Sequence, residues 1–221
     1  MKAYLFNVKP DIVHYSSSIR SKIDVVRLIV GISRYLIMTK PEPFLDNSKE
    51  VEEGEIRLVI YVDKMSRVFL SETNKIHSFH FPFTFGVNED KCVLFHKGSE
   101  ITSAMCTVLE ATFFNLSEVD DSIENVLENY WNIAEDFQIS KQENNFYGNL
   151  ITYLLSFEPG YLRFDHDVIR KKVGIHPEHH LDINYTNGAS FKIGLTTFLR
   201  EMDLIDILNL NTPCLYLTKA Q

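Results

Sequence analysis

The polar chemistry of this chain is concentrated between positions 163 and 184, read RFDHD…HPEHHLDIN, where Asp165, His166, Asp167, His176, His179, His180 and Asp182 fall within eighteen positions. Carboxylates and imidazoles together can ligate a divalent metal, and either type can act as a general base. In the first part of the segment Asp165 and Asp167 stand two apart on an extended run, which puts both on one face with Arg163. That pair, completed by Asp182, is a candidate divalent-metal set. His180 or Lys192 would then stand near the attacking water, the arrangement of a metal-dependent nuclease. Without a metal, His179 or His180 beside Arg163 could act as general acid and base, as in ribonucleases that use the 2′-hydroxyl. The catalytic candidates are therefore Asp165, Asp167, His176 and His180. Arg163, Arg170, Lys171, Lys172 and Lys192 are the candidates for phosphate or nucleic-acid contact. A divalent cofactor is implied only under the nuclease reading. The same residues also have a structural reading, because Asp-x-Asp is common on solvated sheet faces and His-Pro-x-His-His suits a turn whose imidazoles bond loop carbonyls. The spacing matches neither His-Glu-x-x-His nor a Cys/His zinc pattern. Whether the cluster catalyses or recognises stays open at this level.

Other chemistries are less well supported. There is no G-x-x-x-x-G-K-[ST], no G-x-G-x-x-G after a strand and no G-x-S-x-G. Cys92, Cys106 and Cys214 are widely spaced and form no Cys-x-x-Cys, so reduced, mostly buried thiols are expected. Arg27 and Arg34 lie along one stripe of a hydrophobic helix and read as a solvated face. In the run KIHSFHFPFTFG, Ile76, Ser78 and His80 share one face and His77, Phe79 and Phe81 the other, with the aromatics assigned to the core.

The 221 residues carry 22 Lys+Arg against 30 Asp+Glu, a net charge of −8, with 45% apolar residues. That balance excludes a disordered tail and a basic nucleic-acid coat, so any nucleic-acid contact must use a local basic patch. The opening MKAYLFNVKPDIVHYSS lacks the features of a secretory signal. The most apolar stretch, residues 25–38, is fourteen long and contains two arginines, whereas a membrane span needs about twenty apolar residues. A cytoplasmic location and no membrane partner are expected.

The elements that must position the cluster follow from periodicity. Residues 21–39 read as a helix stopped by Pro41 and Pro43, and residues 46–54 as an acidic loop. EIRLVIYV, RVFLS, KIHSFHFPFTFG and KCVLFH form an antiparallel meander of about four strands. Residues 99–116 lean to helix over strand. Ser117 and Asp120 open another helix with an apolar stripe from Val119 to Ala134, and residues 138–145 read as a linker. A strand-rich unit follows: an apolar run over 150–157, the strand YLRFDHD, a basic loop IRKKVG, and the hairpin LDINYTNGASFKIGL with Asn187-Gly188 at its tip. Matching apolar positions favours a three-residue loop that opposes Tyr185 to Phe191, Ile183 to Ile193 and Leu181 to Leu195. A helix over 196–209 packs on the hairpin, and CLYLT offers a last strand.

With its motif Tyr161-Leu162-Arg163-Phe164-Asp165-His166-Asp167, then His176-Pro177-Glu178-His179-His180-Leu181 and a hairpin, the chain resembles a group of bacterial proteins of unknown function. They carry an R-[FY]-D-x-D…H-P-x-x-H-[LM] signature and are often encoded beside restriction or phage-defence genes. The resemblance covers about residues 150–205 and implies no activity. A looser similarity to small toxin proteins points to Asp165, His176 and His180. The chain departs from the pattern through the insertion IRKKVG and the doubled His179-His180, which leaves open the imidazole that fills the motif position.

The expected architecture is α+β: an antiparallel meander with an N-terminal helix, central helices and a C-terminal hairpin plus helix. It forms one domain with two lobes, residues 1–137 and 146–221. The expected function is that of a bacterial component of a phage-defence or toxin-type operon, acting in an assembly with a protein partner or a second copy. The alternative is the metal-dependent nuclease.

Overall fold

The computed structural model describes residues 2–8, 19–43, 51–62, 64–114, 116, 122–172, 174–186 and 188–216. The architecture is α+β, with every strand pairing antiparallel. It begins with a strand that the sequence reading did not include, β1 (Ala3–Val8), with Tyr4, Phe6 and Val8 buried. Helix α1 (Lys22–Met38) follows, opened by a capping box in which Ser21 and Asp24 satisfy each other's backbone N–H groups. Burial surrounds most of this helix, as its nearly all-apolar sequence requires. Its Arg27 is therefore not on a solvated face. The guanidinium donates to the carbonyls of Phe113 (2.9 Å) and Leu116 (2.7 Å), which lie at and just beyond the end of the next helix.

A short strand β2 (Glu42–Pro43) precedes the meander β3 (Ile56–Tyr61), β4 (Arg67–Glu72) and β5 (Lys75–His80). The aromatic run then leaves the sheet. Pro82, which has no N–H to give a ladder, interrupts it, and β6 (Thr84–Asn88), β7 (Lys91–His96) and β8 (Ser99–Glu100) form a separate three-stranded sheet. Residues 103–114 are helical, as α2 (Ser103–Phe114). Helix α3 (Ile123–Asp136) is capped by Ser122, while the expected cap at Ser117 and Asp120 lies outside the described residues. Only Val126, Tyr130 and Ala134 of its stripe are buried, and Ile123 and Trp131 face solvent.

The expected linker and the apolar run after it are one helix, α4 (Lys141–Ser156), because Ser140 and Glu143 form a second capping box. Next come β9 (Leu162–His166), β10 (His179–Ile183), β11 (Phe191–Leu195) and α5 (Glu201–Leu208), a helix shorter at its start than expected. No strand forms at residues 214–216. The eight-stranded sheet runs β11-β10-β9-β5-β4-β3-β1-β2, so the C-terminal strands extend the meander through a β5–β9 pairing. One face of the sheet buries Leu58, Ile60, Val68, Leu70 and Phe79 beneath α1–α4. The other buries Val59, Phe69, Ile76, Phe164 and Leu181 against Leu204 and Ile205 of α5.

The hairpin register differs from the apolar match. Ile183 faces Phe191, Leu181 faces Ile193 and His179 faces Leu195, two residues away from expectation. Asn184 takes a left-handed conformation (φ +66°) and gives its N–H to Tyr161 O, ending the strand early. Tyr185 stacks edge-on with Tyr161 instead of pairing with Phe191. A shift of two leaves every side chain on its original face, and it sets Asp182 directly opposite Lys192.

Candidate functional site: a charged network on β9–β11

The strands carry the Asp/His cluster by simple alternation. On the face turned toward the α1–α4 side of the sheet, His77 of β5 lies opposite Arg163 of β9, Arg163 opposite Asp182 of β10, and Asp182 opposite Lys192 of β11. One step along, Asp165 lies opposite His180 and His180 opposite Gly194. Asp165, Asp182 and His180 are all buried. Arg163 holds Asp165 Oδ2 through Nε (2.9 Å) and Nη2 (2.6 Å), and Nη2 also contacts Asp182. Lys192 Nζ donates to Asp182 Oδ1 (2.5 Å) and stands 2.9 Å from His180 Nε2. Two cations are matched by two carboxylates, which offsets the burial of Asp165 and Asp182, while Lys192 reaches them from the solvent side.

The tautomer of His180 follows from its neighbours. Its Nδ1 lies 2.9 Å from the Pro177 carbonyl, which can only accept, so Nδ1 carries the proton. Nε2 then offers its lone pair to the Lys192 ammonium. The Asp165 carboxylate is 3.5 Å from the same Nε2. Burial pushes the Asp165 carboxyl up, and the Arg163 guanidinium bonded twice to it more than reverses this, holding it below the usual carboxylate range. One oxygen, Asp165 Oδ1, is buried with no hydrogen-bond partner.

Two residues outside the sequence cluster complete this face. His77 is fully buried with Nδ1 2.9 Å from the Tyr161 hydroxyl, and burial, aided by the Arg163 charge, lowers it to about 3. Burial raises the Tyr161 hydroxyl to about 12. His80 of the same run, on the opposite face, is half-buried. Strand alternation gave the face of His77; its neighbour Arg163, more than eighty positions away, required the β5–β9 pairing.

Asp167 does not join Asp165 on a common ion. Past the end of β9 its carboxylate turns to Arg170, accepting from the backbone N–H (2.9 Å) and Nε (2.7 Å), and it lies 3.5 Å from His176 Nε2. The trio whose ligand atoms come within 4.8 Å of one another is Asp165, His180 and Asp182. His176 packs perpendicular to His180, ring centroids 4.8 Å apart, and so links Asp167 to the network at second hand. The basic candidates divide in the same way. Arg163 is enclosed by carboxylates, Lys192 is engaged by Asp182 and His180, Arg170 by Asp167, and Lys171 by Glu178 (2.6 Å). Lys172 is exposed.

The doubled histidine is resolved by the strand itself. Adjacent residues of β10 point to opposite faces, so His180 enters the network while His179 lies with His166 beneath Phe198. On that second face Glu201 is buried, bonded by Ser71 Oγ (2.5 Å) and Arg57 Nε (3.0 Å), beside a pocket of about 370 Å³ also lined by Ile76, Phe164 and Met202.

The loop joining β9 to β10 is pinned at several points. Asp167 N–H bonds Glu178 O, Lys172 and His176 exchange backbone bonds, and Pro177 lies against β11 at Gly194. A Cβ on Gly194 would come within 2.8 Å of the Pro177 ring. From this support Val168, Ile169 and Ile175 project into solvent, 60%, 96% and 80% exposed.

Comparison with family models, with curated proteins and with solved structures gives no match to this chain. Among the described residues, no helix is long and apolar enough to cross a membrane.

Proposed function

We propose that this chain is a recognition component of a protein assembly, and that the β9–β10 loop is its docking element. The observation that carries the reading is the pinned loop with its three exposed aliphatic side chains. Exposed aliphatics on a mobile segment would cost ordering entropy on binding, whereas a loop fixed in advance avoids most of that cost. The charged network behind it is electrically matched, which suits a clamp holding the loop in place. Arg170, Lys171 and Lys172 surround the aliphatic tip, so the partner surface is an apolar recess rimmed by carboxylates. The resemblance to proteins encoded beside phage-defence genes points to a partner encoded in the same operon, or to a second copy of the chain.

The test is co-expression with the products of the neighbouring genes, followed by sizing with light scattering. The doubly substituted chain Ile169→Asp, Ile175→Asp is expected to lose the complex with its unfolding midpoint unchanged, since surface changes usually fall within about 0.5 kcal/mol. A wild-type chain that stays monomeric and binds none of these products would overturn the reading.

A second reading is favoured by one observation, the convergence of Asp165, His180 and Asp182 together with the unpartnered Asp165 Oδ1. It makes the chain a metal-dependent nuclease in which Asp165, His180 and Asp182 would hold a divalent ion that activates water, with Arg170 and Lys172 nearest the phosphate backbone. A nuclease assay with Mg²⁺ or Mn²⁺ decides it: Asp165→Ala and His180→Ala must each abolish cleavage, and wild-type cleavage by both clears the cluster of catalysis.

A further inference from the structure

The geometry points to a second and separate metal site, a zinc-type site formed by His166, Glu178 and His179 on the α5 face of the sheet. Its residues differ from those of the nuclease set and face the opposite way. Each offers one ligand atom, and the three atoms lie within 4.8 Å of one another. Glu178 Oε1 is 3.3 Å from His166 Nε2 and 4.0 Å from His179 Nε2. A tetrahedral zinc with bonds of about 2.0–2.2 Å places its ligands roughly 3.3 Å apart. The first distance already fits, and a small rotation of the His179 ring brings in the second.

The neighbours of the three side chains support the same reading. His166 and His179 are directly opposite one another across the β9–β10 ladder, so the backbone fixes their spacing, with ring centroids 4.7 Å apart. Phe198 stands edge-on to both rings and shields one side. Lys171 Nζ bonds the other carboxylate oxygen, Glu178 Oε2, at 2.6 Å, which leaves Oε1 turned to the imidazoles. A hydrogen bond to the outer oxygen of a ligating carboxylate is the usual outer support of such a site. His179 Nδ1 is buried and unpartnered, so the ring is held by its packing on Phe164 and Phe198, and no hydrogen bond at Nδ1 sets its tautomer. All three side chains are partly exposed, which leaves the fourth coordination position to water or to an incoming side chain.

The ligand set selects the metal. Two imidazoles and one carboxylate suit zinc and its neighbours in the transition series, while magnesium and calcium prefer oxygen-only sites. The position selects the effect. His166 ends β9 and Glu178-His179 opens β10, so the ion ties together the two ends of the β9–β10 loop. Binding to the folded chain alone raises the unfolding temperature as zinc is added.

The test uses the full chain, stripped with EDTA and titrated with Zn²⁺ by calorimetry, and with Co²⁺ by visible absorption. The expected result is one ion per chain, a tetrahedral cobalt spectrum, and a zinc-dependent rise in unfolding temperature. His166→Ala, His179→Ala and Glu178→Gln are each expected to weaken binding by about tenfold or more, whereas Asp182→Asn leaves it unchanged. Lys171→Met is expected to weaken it within the roughly 10–100-fold range of outer supports. Absence of binding at micromolar zinc overturns the site. So does binding that survives in His166→Ala and His179→Ala but is lost in Asp182→Asn, which would place the ion on the other face. Glu178→Gln is nearly isosteric and its side chain is partly exposed just before β10, so its result stands even if a histidine variant unfolds.

Discussion

Arg163 is the residue on which the charged face depends. It touches both buried carboxylates, and removing it leaves Asp165 and Asp182 with only Lys192 and the His180 ring between them. Breaking one partner out of a buried ionic set costs about 3–5 kcal/mol. Arg163→Ala is expected to lower stability by that amount in urea unfolding, more than either Asp165→Asn or Asp182→Asn. Acid sensitivity belongs to this scale too. His77 lies near 3 in the fold, against 6.5 when exposed, so the unfolded chain binds a proton in that interval and the folded chain does not. Stability is therefore complete above about pH 6.5 and falls as the pH drops toward 3. Asp165, held below its unfolded value, adds a further loss starting near pH 4 and completed as the pH passes through its folded value. His77→Phe is expected to flatten the decline of the urea midpoint between pH 6.5 and 4.5 and to leave the lower, carboxylate part in place.

At the scale of elements, β10 explains why its neighbours matter to the site. The strand offers His180 and Asp182 to one face, and His179 and Leu181 to the other. Each face then acquires a different chemistry from β9, from β11 and from the loop folded against them. Gly194 of β11 is what permits that loop its position, since any side chain there would meet Pro177 at 2.8 Å. Gly194→Ala is expected to push the His176-Pro177 segment away, weaken the His180–Pro177 bond and raise amide exchange across the β9–β10 loop. The core beneath α1–α4 should stay protected. Exchange confined to the loop is the outcome that checks this, and uniform loss of protection counts against it. Alternation made the faces of β5 and β9 legible from sequence, because a period of two is local. The hairpin register was not legible, because matching apolar positions ignores the Asp182–Lys192 pair and the turn at Asn184. Asp167 was misjudged for a similar reason. Its alternation is correct, yet the strand ends before it and the loop's own Arg170 claims the carboxylate.

Across the whole molecule, one sheet runs through both lobes. The β5–β9 ladder runs from the meander to the hairpin unit, and α4, from the stretch read as a linker, buries Tyr147, Leu150, Ile151 and Leu154 in the main core. A fragment of residues 1–137 would lose that helix and expose the edge of β5. Its expected behaviour is poor solubility and no cooperative thermal transition by circular dichroism, against a single transition for the full chain. A sharp, reversible melt of the fragment would show that the first lobe folds alone. The net charge of −8 coexists with a basic loop whose arginine and lysines are partly neutralised by Asp167 and Glu178. The surface offered to a partner is therefore set more by Ile169 and Ile175 than by charge.

The sequence by itself determined the α+β class, the first helix, three strands of the meander and the faces of the third, since these depend on periodicity and on residues a few positions apart. Tertiary structure alone decided that β1 joins the sheet, that β9 lies beside β5, and that His179 and His180 serve different chemistry. The β5–β9 pairing sets Ile76 opposite Phe164 and His77 opposite Arg163, contacts between segments more than eighty positions apart that no local period can carry.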